Sequence, residues 1–323
     1  MSGTGSRAGR GFRPEGFYPE GFHPEYLLML MTTLFWALGH PLGRIALRHV
    51  HPFQLGAINL VVGFFALLVY LLAAGRAKEL FGLGARDTAV SLLLGVFGFF
   101  LYQIFTFSAL SRIAASMNAV LVSTNVVFIA LLSALFLRER IAPARVAGIA
   151  AALAGVVLIT FNRGFALDAG LNLLGCAFSI LGAFSFAVYT VFGKRVLSRN
   201  DPLIVAALAL FSGAVLLSVF CAFTAGFSGL SAAGGGTWAI MVMLGLTMIG
   251  IAYPTWFACL KRLPASHVSV YVYMTPVFAV ILSLLILKER FAWLFWLGGA
   301  LVLGGIVLAS LARRERSSRA AHG

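Results

Sequence analysis

Charge is the scarcest thing in this chain. Only 11% of its 323 residues are Asp, Glu, Lys or Arg, where a soluble domain carries about 25%, so a conventional water-facing exterior is excluded. Cysteine is rarer still. Cys176, Cys221 and Cys259 all fall in apolar stretches with no CxxC or Cys/His spacing, which excludes a disulfide framework and a zinc site. Near the start there is no basic region followed by a short apolar run and a small-residue cleavage site. No cleaved signal peptide is therefore expected, and targeting falls to the first apolar helix. Acidic residues number 10 against 24 basic ones. A net charge of +14 would fit a nucleic-acid partner only if the basic residues gathered into a patch. They lie instead in short clusters between apolar runs, which speaks against that partner and for a multispanning protein.

Hydrophobic residues fill the space that charge leaves, at 61% of the chain. A helix needs about 20 apolar residues to cross a hydrocarbon layer of about 30 Å, because every backbone N–H and C=O must be paired within the segment. That length marks ten runs: 27–43, 53–74, 88–109, 114–137, 144–161, 171–192, 202–224, 237–260, 265–287 and 292–311. The expected fold is an all-α integral membrane protein of ten transmembrane helices. Trp293 and Trp296 suit a position at the lipid interface. With ten spans both termini share a side, and that side holds 18 Lys and Arg against 6 on the other. The bias places both termini in the cytoplasm, in a multi-pass protein of the cytoplasmic (inner) membrane.

The chain repeats itself. Leu110–Ile159 aligns with Leu260–Ala309 without a gap at 21 of 50 positions. Leu137-Arg138-Glu139-Arg140 matches Leu287-Lys288-Glu289-Arg290, and Gly148 and Gly155 match Gly298 and Gly305. The offset of 150 continues upstream through Leu94-Gly95 with Leu244-Gly245, Gly43-Arg44 with Gly193-Lys194, and Pro52 with Pro202. Spans 1–5 (residues 26–161) thus correspond to spans 6–10 (171–311). Five is odd, so the two halves enter the membrane from opposite sides. Such an inverted repeat suits alternating access, in which a midplane site opens first to one side and then to the other. Residues 1–25 read as a disordered cytoplasmic tail carrying three G-F-x-P-E pentapeptides, whose prolines forbid helix. Residues 312–323 form a basic cytoplasmic tail.

Two inverted five-helix repeats, each ending its fourth span in Leu-basic-Glu-Arg before a glycine-rich fifth span, resemble the drug/metabolite transporter superfamily with paired EamA domains. The resemblance covers roughly residues 26–311, and among members the chain is most similar to YddG-type exporters of aromatic amino acids. It implies a central cavity formed by spans 1, 3, 4, 6, 8 and 9, with spans 5 and 10 peripheral.

The ten carboxylates all lie at or beyond span ends, and no Lys or Arg is mid-span. Intramembrane acids are the usual proton relays and cation partners, and a phosphorylated cargo needs a basic clamp. A neutral or zwitterionic solute fits better. Glu139 and Glu289 read as structural carboxylates, paired with their basic neighbours or accepting from the next helix's free N–H groups. The glycines of spans 5 and 10 read as packing surfaces.

Polar and aromatic residues gather in the spans expected around the centre. His40 precedes Pro41, which is expected to interrupt span 1 and free a carbonyl; His40 and His267 could change charge near physiological pH. Span 3 offers Tyr102 and Gln103. Span 4 offers Asn118 and Asn125, seven apart and so on one helix face. Span 6 gives Ser185 and Tyr189, span 8 gives Tyr253 and Trp256, and span 9 gives His267, Tyr271 and Tyr273. Amides are costly in lipid and should point inward, while the aromatics could enclose an apolar side chain. The phenylalanines read as filler. No catalytic residue, metal site or cofactor is expected. The expected function is alternating-access export of a small neutral or zwitterionic solute, an amino acid with an aromatic or hydrophobic side chain being favoured. A broad-specificity exporter of other metabolites or drugs is the alternative within that class. A channel or membrane-embedded enzyme is the alternative outside it. Partners are the solute and the lipid bilayer, and a monomer is compatible with all of this.

Overall fold

The computed structural model describes residues 24–137, 143–160, 170–262 and 265–321. The N-terminal pentapeptides and Glu139 lie outside them. The described residues contain no strand and form ten helical spans. These are α1 (Pro24–Ala46), α2 (Pro52–Ala73), α3 (Ala85–Leu110), α4 (115–137), α5 (Pro143–Thr160), α6 (Gly170–Leu197), α7 (Pro202–Thr224), α8 (235–262), α9 (Ala265–Leu287) and α10 (Trp293–Ala321). Each of the ten apolar runs falls on helix; among the described residues seven are long and apolar enough to cross a bilayer, and the other three carry shorter apolar stretches, Val146–Ile159, Met274–Leu287 and Trp293–Gly305. The first run is the main departure. Pro41 does not end it; the helix passes through to Ala46, because a proline inside a helix removes one hydrogen bond without obliging the chain to turn.

Helix ends follow local chemistry, and in pairs. Pro52 and Pro202 open α2 and α7 at the first helical position, where the missing N–H costs nothing. Their N-caps differ in type but not in role. Asp201 accepts the N–H of Leu203 at 2.9 Å. His51 Nδ1 accepts that of Phe53 at 3.3 Å, while the Gln54 side chain accepts the His51 N–H at 3.0 Å. At the other ends of these helices, Gly75 and Gly226 take φ of 69° and 63°, the left-handed closure that glycine adopts without a Cβ clash. Each is followed by a short 3₁₀ turn, Ala77–Phe81 and Ser228–Ala232. Each third span then widens into a π-helical segment, Val96–Leu101 in α3 and Gly245–Ile251 in α8. The repeat is thus visible in caps, turns and a mid-membrane helix defect, as well as in residue identity.

Contacts between the halves obey the same exchange. Gly155 of α5 faces the carbonyl of Gly298 on α10, and Gly305 faces the carbonyl of Gly148; a Cβ on Gly155 would come within 2.5 Å of that oxygen. Gly63 of α2 lies on Ile249 and Gly245 of α8, and Gly213 of α7 lies on Phe99 and Gly95 of α3. Adding 150 to one member of each pair generates the other. Lipid tails are as apolar as leucine, so helices in a bilayer gain little from burying apolar surface and associate through close approach of small residues. α5 and α10 pack chiefly on one another. The remaining contacts close a ring in the order α1, α8, α3, α6, α4, α9, with α2 and α7 packed outside it. Tethers at the surface are reciprocal too. Arg76 after α2 binds Glu79 at 2.7 Å and Asp201 of α7 at 3.0 Å, and Gln54 of α2 donates to the carbonyl of Gly226 after α7 at 2.9 Å. Bonding to Glu79 foremost, with Asp201 behind it, raises the Arg76 guanidinium pKa above its ordinary value.

The α5–α10 seam predicts that Gly155→Val or Gly305→Val lowers stability by about 1–3 kcal/mol through overpacking. Gly304→Val, where an added Cβ meets nothing within 4 Å, should leave it unchanged; thermal denaturation in detergent reads the difference. Burial, and after it the nearby charge of Arg112, lowers the His51 pKa, which keeps Nδ1 free to accept at the start of α2. A lowered folded pKa means stability intact above the unfolded value of about 6.5 and lost as pH falls below it. Amide exchange at Phe53, measured relative to mid-helix amides, should therefore accelerate below about pH 6.5, and His51→Asn should remove the dependence.

Candidate functional site

Two features let the inside of the six-helix ring be polar. The first is the π-helical turn, whose wider spacing loosens the regular carbonyl pairing. In α8 the carbonyl of Met248 accepts the indole N–H of Trp36 from α1 at 3.0 Å. The second is a break in α4 at Ser123-Thr124. There the Ser123 hydroxyl bonds the carbonyl of Val120 and the Thr124 hydroxyl that of Leu121, both at 2.6 Å, side-chain bonds that compete with helix continuation. Interrupted backbone at membrane depth is tolerated where it is buried in protein or lines a cavity.

The break corrects one expectation. Asn118 and Asn125 stand on different helical segments, Ala115–Val122 and Asn125–Leu137, so a spacing of seven does not place them on one face. Asn118 is fully buried. Its amide nitrogen donates to His40 Nδ1 at 3.3 Å, and its oxygen accepts the Ser179 hydroxyl of α6 at 2.8 Å. These two bonds orient each other: with the amide oxygen taken by Ser179, the nitrogen turns to His40, whose Nδ1 then serves as acceptor. Three ring helices meet at this patch. Asn125 is half-buried beyond the break.

An aromatic chain runs beside the patch. Trp256 and Tyr253 of α8 flank Trp36, with ring centres at 5.2 and 6.0 Å. Tyr253 continues to Phe99 of α3 at 5.9 Å, Phe99 to Tyr189 of α6 at 5.8 Å, Tyr189 to Phe186 at 5.9 Å and Phe186 to Tyr102 at 5.5 Å. Trp36 and His40 are four residues apart on α1, so the aromatic chain and the polar patch stand one helical turn, about 6 Å, from each other. The remaining candidates divide. Gln103 is buried against Gly56 of α2, outside the aromatic chain. Ser185 is buried on α6. Tyr271 stacks on Tyr26 at 6.3 Å near the start of α1, at the end of the ring closest to the termini. The side chains of His267 and Tyr273 lie outside the described residues.

Trp36, Phe99, Ser179 and Phe186 are absent from the candidates read in the sequence. Phe99, part of a buried core cluster, and Phe186, packed against it, bridge the tyrosines. A periodic signal exists for two of them: Ser179, Gly182, Phe186 and Tyr189 fall at i, i+3, i+7 and i+10, one face of α6. Trp36 shares a face with His40 by the same rule. Among the described residues every acidic side chain stands at a helix end or in a connection, namely Glu25, Glu79, Asp87, Asp201 and Glu289, and no three His, Cys, Asp or Glu residues approach closely enough to hold a metal ion. The site's chemistry is that of amide, imidazole, hydroxyl and aromatic ring.

The model of the EamA-like transporter family matches residues 23–161 and again 173–311. An uncharacterized transporter of Archaeoglobus fulgidus is 27% identical over 88% of this chain and 98% of its own. The uncharacterized transporter YdfC of Bacillus subtilis is 30% identical over 85% of this chain and 87% of its own. A probable terminal-alkyne amino-acid exporter of Streptantibioticus cattleyicolor is 28% identical over 90% of this chain and 95% of its own. A protein of known crystal structure is 28% identical and matches with a TM-score of 0.64, covering 90% of this chain and 98% of that one. Ten spans with an internal exchange, a family model matched once per half and a relative aligned along most of both chains lead to one conclusion: the protein is a multi-pass membrane protein that belongs to the EamA-like transporter family of the drug/metabolite transporter superfamily.

Proposed function

We propose that this transporter exports amino acids with apolar side chains, aromatic ones foremost, from the cytoplasm by alternating access. The observation that carries the reading is the pairing of an aromatic surface with the His40–Asn118–Ser179 patch one turn away along α1. A zwitterion with an apolar side chain has the matching shape. Its ring would lie on Trp36, Tyr253 and Trp256, where stacked aromatic pairs contribute about 0.5–1.5 kcal/mol beyond buried area, and its charged head would meet imidazole, amide and hydroxyl. The absence of carboxylates from the described interior disfavours a purely cationic drug. Support also comes from the relative in S. cattleyicolor, named a probable terminal-alkyne amino-acid exporter. The distribution of Lys and Arg supports an orientation with both termini in the cytoplasm, in the inner membrane.

Purified protein in liposomes should exchange labelled phenylalanine with saturation, and leucine should compete. His40→Ala and Asn118→Ala should each raise KM about tenfold, the loss of about one charge-assisted hydrogen bond, while Trp36→Ala and Trp256→Ala should weaken phenylalanine more than alanine. Transport of another metabolite with no exchange of any amino acid would overturn the substrate assignment and leave the family unaffected. Flux that does not saturate would mark a channel.

A further inference from the structure

The Leu-basic-Glu-Arg motif at the end of α9 does more than bound a helix. Lys288, the first residue past α9, takes φ of 53°, a left-handed conformation that crowds any side chain with a Cβ and is normally left to glycine. The residue after this turn faces the neighbouring helix of the ring. Glu289, half-buried, reaches the start of α4 on the opposite repeat, whereas the sequence suggested its neighbours or the next helix. Glu289 Oε1 accepts the N–H of Ala115 at 2.8 Å, and Oε2 accepts the N–H of Ser116 at 3.3 Å together with the Ser116 hydroxyl. A carboxylate on the free N–H groups of a helix N-terminus is a favoured, charge-assisted contact. Beside it, Arg44 in the last turn of α1 donates to the carbonyl of Leu110 at the end of α3 and attracts Glu289 electrostatically. Two side chains thereby tie four of the six ring helices, α1 to α3 and α9 to α4, on one face of the membrane, the face opposite the termini.

We infer that Glu289, seated on Ala115 and Ser116, is the clasp that closes the interior toward that face, and that it is released once in each transport cycle. The inference rests on the alternating-access reading. Three features favour a working contact over a static cap. The clasp joins the two repeats, which must move against each other. It is held in place by an unfavourable backbone conformation at Lys288, and such conformations concentrate at switch regions. Its bonds are polar and exchangeable with water, so it can re-form without repacking a core. At the 150-residue offset the sequence carries the same residue types, a basic residue at Lys194, Ala265-Ser266 and Glu139, as a contact exchanged between two states would require.

Ser283 of α9 supplies a reporter. It is fully buried, its hydroxyl has no hydrogen-bond partner among the described residues, and it stands one turn from Ala279, which packs on Ala37 of α1 and Ala119 of α4. A chain with Cys176, Cys221 and Cys259 replaced by serine and carrying Ser283→Cys is labelled with a membrane-impermeant maleimide, in right-side-out and in inside-out vesicles. Glu289→Gln should speed labelling from the face opposite the termini about tenfold and slow it from the terminal face. Ser116→Ala, which removes one of the three bonds and leaves the fold intact, should shift both in the same directions by about threefold, these factors corresponding to about 1.4 and 0.7 kcal/mol. Labelling that rises equally from both faces would identify Glu289 as a structural cap and overturn the clasp, as would variants that label like the parent while phenylalanine still switches the parent between faces. A parent that labels from one face whatever solute is added would sink the alternating-access reading and the clasp's place in a cycle with it.

Discussion

Close approach of glycine to carbonyl oxygen across the two halves is the contact on which this fold rests. In water a helical bundle is held by the burial of apolar faces, but here the surroundings are as apolar as the interior, so that drive is missing. What remains is dispersion and fit, and both depend on distance. Gly148 and Gly155 on α5, with Gly298 and Gly305 on α10, bring two backbones together along a seam. Gly63 and Gly213 do the same for α2 on α8 and α7 on α3. Each contact has a mate generated by the repeat, so the two halves meet at paired positions.

Inside that frame the polar groups can afford to be few. The π-helical turns and the break at Ser123-Thr124 place irregular backbone where protein, not lipid, surrounds it. One freed carbonyl is used at once by Trp36, and the amide of Asn118 is held between Ser179 and His40. Among the described residues, the interior so built has directional hydrogen-bonding groups without a fixed charge at its centre. Charge is kept to the rims, where Arg76 and Asp201 on one face and Arg44 and Glu289 on the other bind one repeat to the other or one span to the next.

Much of this is legible in the sequence alone. Ten spans and their pairing follow from a length and an offset, because both are set by repetitive physics: bilayer thickness and duplication. The glycines of spans 5 and 10 were readable as packing surfaces for the same reason. What escaped depends on local competition. Nothing in Gly39-His40-Pro41 says that tertiary packing carries the helix past the proline. Ser123-Thr124 ends a helix segment only because two hydroxyls turn back on their own carbonyls. The partner of Glu289 lies 174 residues away, a contact that one-dimensional spacing cannot name. Phe99 and Phe186 escape because phenylalanine is so common here that only its position, never its presence, carries information.

Near the centre the exchange keeps a contact but trades its residue types. Gly39 of α1 lies under Met248 of α8, whereas the corresponding contact sets Tyr189 of α6 over Gly98 of α3. Each pair joins a glycine to a large side chain, but the large residue comes from the eighth span in one and the sixth in the other. Two identical halves would give inward-open and outward-open forms of equal free energy, populated equally at rest. Swapping thioether for phenol across the axis adds to the differences between the halves that remove that degeneracy. Such a bias cannot set the direction of net flux, which only a gradient can drive. Under the proposed alternating access, it biases instead the side on which the empty site waits.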